Sequence, residues 1–234
     1  SIMLMFGYNA GGGAYLPRQG SFVIQPAQTF VGLTGPAVVQ TVLGEAIEAD
    51  ALGGPGVHLQ SGVADYTAID ERAALEQAKA LLHFLPNNSS QAPPPISCSD
   101  DPERATVVID RVLQQAIDSP TGFQTPFDVR LLIQDMVDWG HYFEVQPERA
   151  ENIVCCFARM AGKVVGFCAN NSAHASGQID WDGANKATRF LRFCNVYNIG
   201  VVFLEDTTGF LPGSVQEQRG IIQAGRALLD GIVD

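Results

Sequence analysis

Basic residues and long apolar runs are both scarce in this sequence. There are 14 Lys and Arg against 25 Asp and Glu, which gives a formal net charge of −11 at pH 7. Proteins that bind nucleic acid need a basic surface to neutralise phosphates, so this balance argues against that class of function. No apolar run approaches the roughly 20 residues that a membrane-spanning helix requires. With 46% hydrophobic and 17% charged residues, the composition is that of a globular protein.

The sequence also lacks the motifs of metal binding and of side-chain catalysis. The cysteines form no CxxC pair and lie mostly in apolar stretches, which predicts reduced core thiols and no metal site; they are Cys98, Cys155, Cys156, Cys168 and Cys194. Reduced thiols favour the cytoplasm, or the mitochondrial matrix in a eukaryote. The four histidines are dispersed, and Ser61-Gly62 does not form the GxSxG motif of a hydrolase. The acidic pair Asp180 and Asp182 is interpreted as helix capping, with Asp182 as the cap.

A proline-rich break divides the sequence into two segments that each mix strands and helices. Residues 86–95 combine polar side chains with three consecutive prolines, which cannot continue a helix or enter a central strand. We therefore predict one domain at 1–93, a linker at 94–121 and a second domain at 122–234. Because the chain opens directly on a strand-like apolar run, we expect it to begin partway through the first domain.

Each segment shows the order of strand, glycine turn and helix that is typical of an α/β protein. In the first segment an apolar strand runs into Gly11-Gly12-Gly13. In the second segment a pair of strands flanks Ala161-Gly162, as in a hairpin. A buried-looking strand then leads to the turn at 209–213, after which Ser214 and Glu217 have the spacing of a capping box.

Consecutive glycines after a strand place several unencumbered backbone N–H groups close together. When a helix follows, two of these groups can donate to an oxygen that gains negative charge. A phosphate-binding loop is an alternative, but neither GxGxxG nor GxxxxGK[ST] is present. A tight turn with close backbone packing is the remaining explanation. The glycines alone leave the choice open.

Several short blocks, taken in order along the chain, are more informative than any one of them. They include Gly12-Gly13-Ala14-Tyr15, Thr34-Gly35-Pro36, Leu52-Gly53-Gly54, Ser61-Gly62-Val63-Ala64-Asp65, Phe127-Asp128-Val129-Arg130, Ala158-Arg159-Met160-Ala161-Gly162 and Gly209-Phe210-Leu211-Pro212-Gly213. With these blocks the sequence resembles the carboxyltransferase (beta) subunits of biotin-dependent acyl-CoA carboxylases, such as the propionyl-CoA and methylcrotonyl-CoA carboxylases. Those subunits belong to the crotonase/ClpP superfamily.

The resemblance implies an α/β fold of the crotonase type, a spiral of ββα units in two related domains that are each incomplete in this chain. It implies transfer of CO2 from carboxybiotin to the α carbon of an acyl-CoA thioester, through an enolate held in backbone oxyanion holes. The residues carried over for catalysis are Gly12 and Gly13, with Gly11 as the alternative to Gly13. Those carried over for the acyl-CoA are Ala14, Tyr15, Gly35 and Pro36. Those carried over for the biotin side are Gly209, Phe210, Leu211, Pro212 and Gly213.

The resemblance also implies partners and leaves alternatives open. Biotin would arrive on a carboxyl carrier subunit served by a biotin carboxylase, and the subunits would form a hexamer of the trimer-of-dimers type, without nucleic acid or membrane. The family's second oxyanion hole lies beyond residue 234, so this chain would supply the first. The alternative functions are an acyl-CoA decarboxylase subunit of a sodium-pump complex and a non-catalytic scaffold subunit of a carboxylase assembly. Lys186 and Arg189 are predicted to be solvated, with contact to CoA phosphates as the alternative.

Overall fold

The computed structural model describes residues 1–122 and 125–233 and divides the chain into two compact units. Unit 1 is Ser1–His83 and unit 2 is Phe84–Asp234. The sequence places the boundary after residue 93, and the predicted linker at 94–121 contains a helix at Val107–Asp118. Residues 123, 124 and 234 of the predicted second domain lie outside the described residues. The division therefore falls just after a helix and before the proline-rich segment.

Unit 1 is built from ββα repeats. The elements in order are β1 (Ile2–Leu4), β2 (Tyr8–Ala10), α1 (Gly12–Arg18), β3 (Phe22–Pro26), β4 (Phe30–Gly32), α2 (Pro36–Leu43), α3 (Ala49–Gly53), α4 (Pro55–Ser61), β5 (Tyr66–Ala68) and α5 (Glu71–Leu82). The first strand of each repeat joins a parallel sheet of order β1-β3-β5, and the second strand joins the parallel pair β2-β4. Successive repeats thus add one strand to each of two sheets, which is the predicted spiral of ββα units.

The central strand β3 carries the core of unit 1. All of its residues are buried, and Val23 packs with Met5 and Val31. The fully buried Asp65 carboxylate accepts a hydrogen bond of 2.8 Å from the Val23 N–H. This bond satisfies a backbone donor that would otherwise be costly to bury, and it fixes the chain just before β5 to the sheet.

Unit 2 contains one mixed sheet with helices. Its elements in order are α6 (Val107–Asp118), α7 (Arg130–Met136), β6 (Tyr142–Val145), β7 (Ile153–Met160), β8 (Lys163–Asn170), α8 (Trp181–Val196), β9 (Val201–Leu204), α9 (Ser214–Arg219) and α10 (Ile221–Val233). The strand order is β6-β7-β8-β9, with β8 and β9 parallel and the other neighbours antiparallel. Helix α8 makes the crossover between the parallel strands.

The hairpin of β7 and β8 forms the core of unit 2. Its two-residue turn has Ala161 at φ 50° and Gly162 at φ 77°, the pair of positive φ angles that a type I′ turn requires, so the predicted hairpin is confirmed. On one face Val154 of β7 packs with Ile133 of α7. On the other face the ring centroids of Phe157 and of Phe190 in α8 lie 5.0 Å apart. Burial on both faces explains why these strands read as continuous apolar runs.

Two helix starts predicted for unit 2 differ from those observed. Helix α8 is capped by Asp180, whose carboxylate accepts a hydrogen bond of 2.7 Å from the Gly183 N–H. The prediction of Asp182 as the cap is therefore wrong, and Asp182 lies in the first turn. The predicted capping box at Ser214 is also wrong. Helix α9 begins after Gly213 at φ 136°, and its start has no side-chain cap in the described chain.

Candidate functional site

The triple glycine forms the turn between β2 and α1. Gly11 has φ 56°, a conformation that suits glycine, and α1 begins at Gly12. The Gly11 N–H donates to the carbonyl oxygens of Gly32 and Leu33, each at 3.1 Å. Because that amide already has acceptors in the neighbouring chain segment, it is not free to bind a ligand oxygen. Of the three candidate glycines, Gly12 and Gly13 remain as possible donors.

The Gly12 and Gly13 amides lie in the first turn of α1, where a helix leaves its N–H groups without intrahelical acceptors. Among the described residues, neither amide donates a hydrogen bond to the protein. Both residues are exposed. A methyl group added at Gly12 would meet no heavy atom within 4 Å, and one added at Gly13 would come no closer than 3.8 Å, to Asn9. A side chain added at either residue would thus project into open space.

Gly35 and Pro36 lie near the glycine turn because β4, the strand that precedes them, is paired with β2, the strand that precedes the turn. In parallel strands the carboxyl ends meet at one edge, and here β2 leads to Gly11 while β4 leads to Gly35. The two Gly11 hydrogen bonds to residues 32 and 33 join these segments directly. Gly35 is the N-cap of α2, and Pro36 occupies its first turn. The structure therefore brings the predicted acyl-CoA residues of both segments to one edge of unit 1.

Ala14 and Tyr15 differ in what they offer at this edge. The Ala14 N–H donates to the Gly11 carbonyl oxygen at 2.9 Å, and its side chain packs on the core around Val23. Tyr15, in contrast, is 59% exposed. The structure gives Ala14 a packing role and leaves the Tyr15 side chain accessible.

Tyr8 is a further residue of this edge that the sequence reasoning missed. Its ring stacks on Phe30, with the centroids 4.4 Å apart. Its hydroxyl group lies where a side chain at Gly35 would stand. A side chain at position 35 would have to displace this hydroxyl group. No periodicity signals such a contact, because Tyr8 and Gly35 belong to separate segments of the chain.

The turn at 209–213 in unit 2 is held by backbone hydrogen bonds to Ile179. The Ile179 N–H donates to the Gly209 carbonyl oxygen at 3.0 Å, and the Leu211 N–H donates to the Ile179 carbonyl oxygen at 2.9 Å. These bonds make an isolated parallel bridge between Ile179 and Phe210. Phe210 is thereby fixed between the end of β9 and the start of α9.

An apolar cavity of about 550 Å³ lies beside this turn. The Phe210 ring covers Gly225 of α10, where an added methyl group would stand 3.1 Å from the ring. Glu217 and Arg226 are the charged residues of the lining. The apolar part consists of Phe210, Leu211, Pro212, Ile221, Ile222 and Leu229. Three of the five predicted biotin-side residues thus line one cavity.

Lys186 is buried, so its predicted solvated position is wrong. The side chain is 2% exposed, and the ammonium group donates to the carbonyl oxygens of Gln146 at 2.9 Å and Arg149 at 2.8 Å. Burial lowers the pKa of Lys186 below its ordinary value. Because the ammonium is used inside unit 2, it is not available to CoA phosphates.

Asp182 connects α8 to α9. Its carboxylate accepts hydrogen bonds from Arg149 at 2.7 Å and Arg219 at 2.8 Å. The Arg219 guanidinium also lies over the Trp181 ring, 4.3 Å from its centroid. Arginine stacked on tryptophan is a favourable cation–π geometry. These contacts hold the helix that carries Glu217 of the cavity lining.

Residues 1–122 and 125–233 contain neither a candidate metal site nor a candidate membrane-spanning helix. No group of three or more His, Cys, Asp or Glu side chains in these ranges is placed to hold a metal ion. Within the same ranges, no helix is both long and apolar enough to span a bilayer.

The ββα repeats that feed two sheets define a crotonase-type α/β fold, and comparison with known proteins identifies the family within it. The carboxyl transferase domain family matches residues 1–234, so the chain belongs to that family. The resemblance drawn from the sequence blocks is therefore confirmed.

Relatives of known name include both carboxylases and decarboxylases. The methylmalonyl-CoA decarboxylase subunit alpha of Veillonella parvula is 39% identical over 230 residues, which is 97% of this chain and 44% of that protein. The propionyl-CoA carboxylase beta chain of Roseobacter denitrificans is 37% identical over 230 residues, again 97% of this chain and 44% of that protein. The chain therefore spans less than half the length of these relatives.

Solved structures confirm the fold over nearly the whole chain. The crystal structure of transcarboxylase 12S, a hexamer with hydrolysed methylmalonyl-coenzyme A bound, has a TM-score of 0.91 and 38% identity over 98% of this chain and 44% of that chain. A single-chain, multi-domain long-chain acyl-CoA carboxylase has a TM-score of 0.79 and 26% identity over 99% of this chain and 21% of that chain.

Proposed function

We propose that this chain is a portion of the carboxyltransferase component of a biotin-dependent acyl-CoA carboxylase. Unit 1 binds the acyl-CoA thioester at the glycine turn, and unit 2 binds biotin in the cavity beside the turn at 209–213. The observation that carries this proposal is the pair of N–H groups at the exposed residues Gly12 and Gly13, which donate no hydrogen bond within the described part of the chain, in a sequence that matches the carboxyl transferase domain family throughout.

The Gly12 and Gly13 amides act on the thioester oxygen. Removal of the α-proton converts the thioester to an enolate, and negative charge develops on that oxygen. Backbone N–H groups that are fixed before the reaction stabilise such charge without reorganising. Loss of one donor of this kind typically costs about 2.7–4 kcal/mol of transition-state stabilisation. Gly35, Pro36 and Tyr15 border the same edge and are assigned to the substrate.

The cavity in unit 2 fits the fused rings and aliphatic chain of biotin. Its walls are mainly apolar side chains of Phe210, Leu211 and Pro212 together with α10, with Glu217 and Arg226 as the charged residues. Its volume of about 550 Å³ lies within the roughly 300–1,000 Å³ typical of small-molecule sites. Biotin, when bound as its N-carboxylated form, supplies the carboxyl group and the base for the α-proton. The protein then needs no titrating side chain for that step. Gly209 and Gly213 supply the backbone bends that present the three lining residues.

Partners and assembly follow from the same assignment. The biotin is carried by a carboxyl carrier subunit and charged by a biotin carboxylase. The named hexamer assembly of transcarboxylase 12S supports the hexamer expected from the sequence. A cytoplasmic or mitochondrial-matrix location is consistent with the thiols, all five of which are in the free form.

Binding to each unit can be tested separately with ¹⁵N-labelled chain. We expect propionyl-CoA to shift the Gly12 and Gly13 amide resonances more than CoA alone does, because CoA lacks the thioester carbonyl. Biotin methyl ester should shift Leu211 and Gly225. Acyl-CoA binding that leaves both glycine amides unmoved would remove the assignment of the donors.

Transfer itself can be tested by substitution into a relative. The matching segment of transcarboxylase 12S would be replaced by residues 1–234 of this chain, and the chimera assayed with biotin and methylmalonyl-CoA. The same chimera carrying Gly12→Val is the matched control. A folded hexameric chimera without turnover would favour the scaffold alternative, whereas turnover lost on Gly12→Val supports the carboxyltransferase.

A decarboxylase subunit is the second candidate function. The 39% identity to the Veillonella parvula decarboxylase subunit is no lower than the 37% identity to the Roseobacter denitrificans carboxylase chain. The same donors would serve either direction, because the enolate is common to both. The direction is read from whether the complex needs ATP and bicarbonate or instead couples malonyl-type CoA decarboxylation to sodium transport.

A further inference from the structure

Two cysteines face one another across the main ladder of unit 2. Cys155 of β7 is paired with Cys168 of β8. Their side chains are buried, with 0% and 8% of the residue exposed, and both thiols are free. The proposed carboxyl transfer uses neither thiol.

The register places this pair at a non-hydrogen-bonded position of the ladder. Opposite residues in an antiparallel pair alternate between hydrogen-bonded and non-hydrogen-bonded positions. The Asn171 N–H donates to the Asn152 carbonyl oxygen at 2.9 Å, which fixes that pair as hydrogen-bonded. Cys155 lies an odd number of residues beyond Asn152. The Cys155 and Cys168 Cα atoms are therefore at the closer spacing of about 4.5 Å.

The same alternation can be counted from the other end of the hairpin. Met160 and Lys163 flank the two-residue turn and form a hydrogen-bonded pair. Cys155 is again an odd number of residues away. A Cα spacing of about 4.5 Å lies at the short end of the range that disulfides span, roughly 4.4–6.8 Å.

The other buried thiols are placed differently. Cys156 is opposite Phe167 and belongs to the cluster on the α7 face. Cys194 of α8 lies against Gly166, on the same face as Cys168, with its sulfur 3.1 Å from the position of an added methyl group there. Cys194 is therefore the competing partner that an experiment must exclude.

We propose that Cys155 and Cys168 form a redox modification site. A hydroperoxide oxidises them to a cross-strand disulfide, and a thiol reductant reduces the disulfide again. One thiol is oxidised to a sulfenic acid while the hydroperoxide is reduced to an alcohol, or to water for hydrogen peroxide. The second thiol attacks the sulfenic sulfur, and water leaves as the S–S bond forms. The two thiols together lose two protons and two electrons.

The surroundings of the pair set how fast it reacts. Burial raises the pKa of the Cys155 thiol well above its ordinary value, and the Cys168 thiol raises it further, whereas the nearby Lys186 ammonium acts in the opposite direction. Little thiolate forms while the hairpin is closed, and the hairpin is part of the core, so oxidation should be slow and limited by opening of the core. Once formed, the bond closes a loop across the hairpin and should raise the ratio of folded to unfolded chain on the order of 100-fold. The short Cα spacing makes that figure an upper value.

The test is alkylation in denaturant after the folded chain has been treated with hydrogen peroxide. We expect Cys98, Cys156 and Cys194 to be alkylated, and peptides bearing Cys155 and Cys168 to be joined until dithiothreitol is added. The oxidised chain should also melt at a higher temperature than the reduced chain. A link from Cys155 or Cys168 to Cys194, or full alkylation of all five thiols, would overturn the proposal.

Matched variants separate the site from general effects of oxidation. Cys155→Val and Cys168→Val keep an apolar side chain of similar size in the strand, and each should abolish the joined peptides and the rise in melting temperature. Cys194→Ala should leave both unchanged. If either valine variant fails to fold, the peptide map of the wild-type chain still decides which sulfurs are joined.

Discussion

A valine at Gly12 should block the proposed acyl-CoA site and leave unit 1 folded. The backbone at Gly12 is not in the left-handed region, so a side chain is tolerated there, and an added Cβ would meet no heavy atom within 4 Å. We expect the side chain to project into the open space beside the two amides. It would thereby keep the thioester oxygen away from both donors.

The magnitude follows from the number of donors that the oxygen loses. One oxyanion-hole donor is typically worth about 2.7–4 kcal/mol, a factor of about 10²–10³ in rate. Displacing the substrate from both amides should therefore lower kcat/KM at least 100-fold. The change in folding stability should stay within about 1 kcal/mol, because no buried contact is altered.

The assay needs a control for the substitution itself. Gly56 in the first turn of α4 also has open space around it and a backbone outside the left-handed region. Gly56→Val should fold and turn over like the wild type, whereas Gly12→Val should fold and not turn over. Equal activities of the two variants in the 12S chimera would refute the donor assignment. A loss of melting temperature confined to Gly12→Val would refute the claim that the site is open.

The remaining predictions concern unit 2. Gly225→Leu should displace the Phe210 ring from α10 and weaken biotin methyl ester binding at least tenfold in a titration. Unchanged affinity would place biotin elsewhere. Lys186→Met should lower the free energy of unfolding, measured in urea, by about 1–3 kcal/mol, because the buried carbonyls of Gln146 and Arg149 lose their donor. An unchanged free energy of unfolding would show that water replaces the ammonium group. Burial raises the pKa of the Cys155, Cys156 and Cys194 thiols above the ordinary value of 9.0. The folding stability that these neutral thiols contribute is therefore present below pH 9 and is lost as the pH rises beyond it. The loss is up to about 1.4 kcal/mol per pH unit for each thiol. The lowered pKa of Lys186 acts in the opposite direction, so thermal melts from pH 7 to 10 should show a net fall, and a flat profile would contradict the burial of the thiols.

Sequence reasoning succeeds here where the determining interactions are local. The type I′ turn at Ala161-Gly162 is specified by two adjacent residues, and the hairpin follows from it. The glycine turn before α1 is specified in the same way. The fold and family were accessible because many such local blocks occur in one order, and each block marks a turn or a close backbone approach.

Long-range partners decide what the sequence could not. Lys186 has the charge of a surface residue, and its burial depends on carbonyl groups of Gln146 and Arg149 in a distant loop. Asp180 and Asp182 both suit a helix start, and the side-chain hydrogen bond to Gly183 selects Asp180. The choice between Gly11 and Gly13 as a donor also depends on a distant segment, because pairing with β4 uses the Gly11 amide.

The scarcity of catalytic motifs in this sequence has a physical explanation in the proposed site. In the proposed function, main-chain N–H groups at Gly12 and Gly13 would stabilise the enolate, and an apolar wall around Phe210 would hold the cofactor rings. Neither task requires a titrating side chain, so a search for nucleophile, base and metal-ligand patterns passes over both. What the chemistry does require is a backbone that can approach a ligand closely at defined turns. The proposed function therefore depends on glycines at those turns, and we expect their substitution, more than that of any histidine or serine, to separate activity from folding.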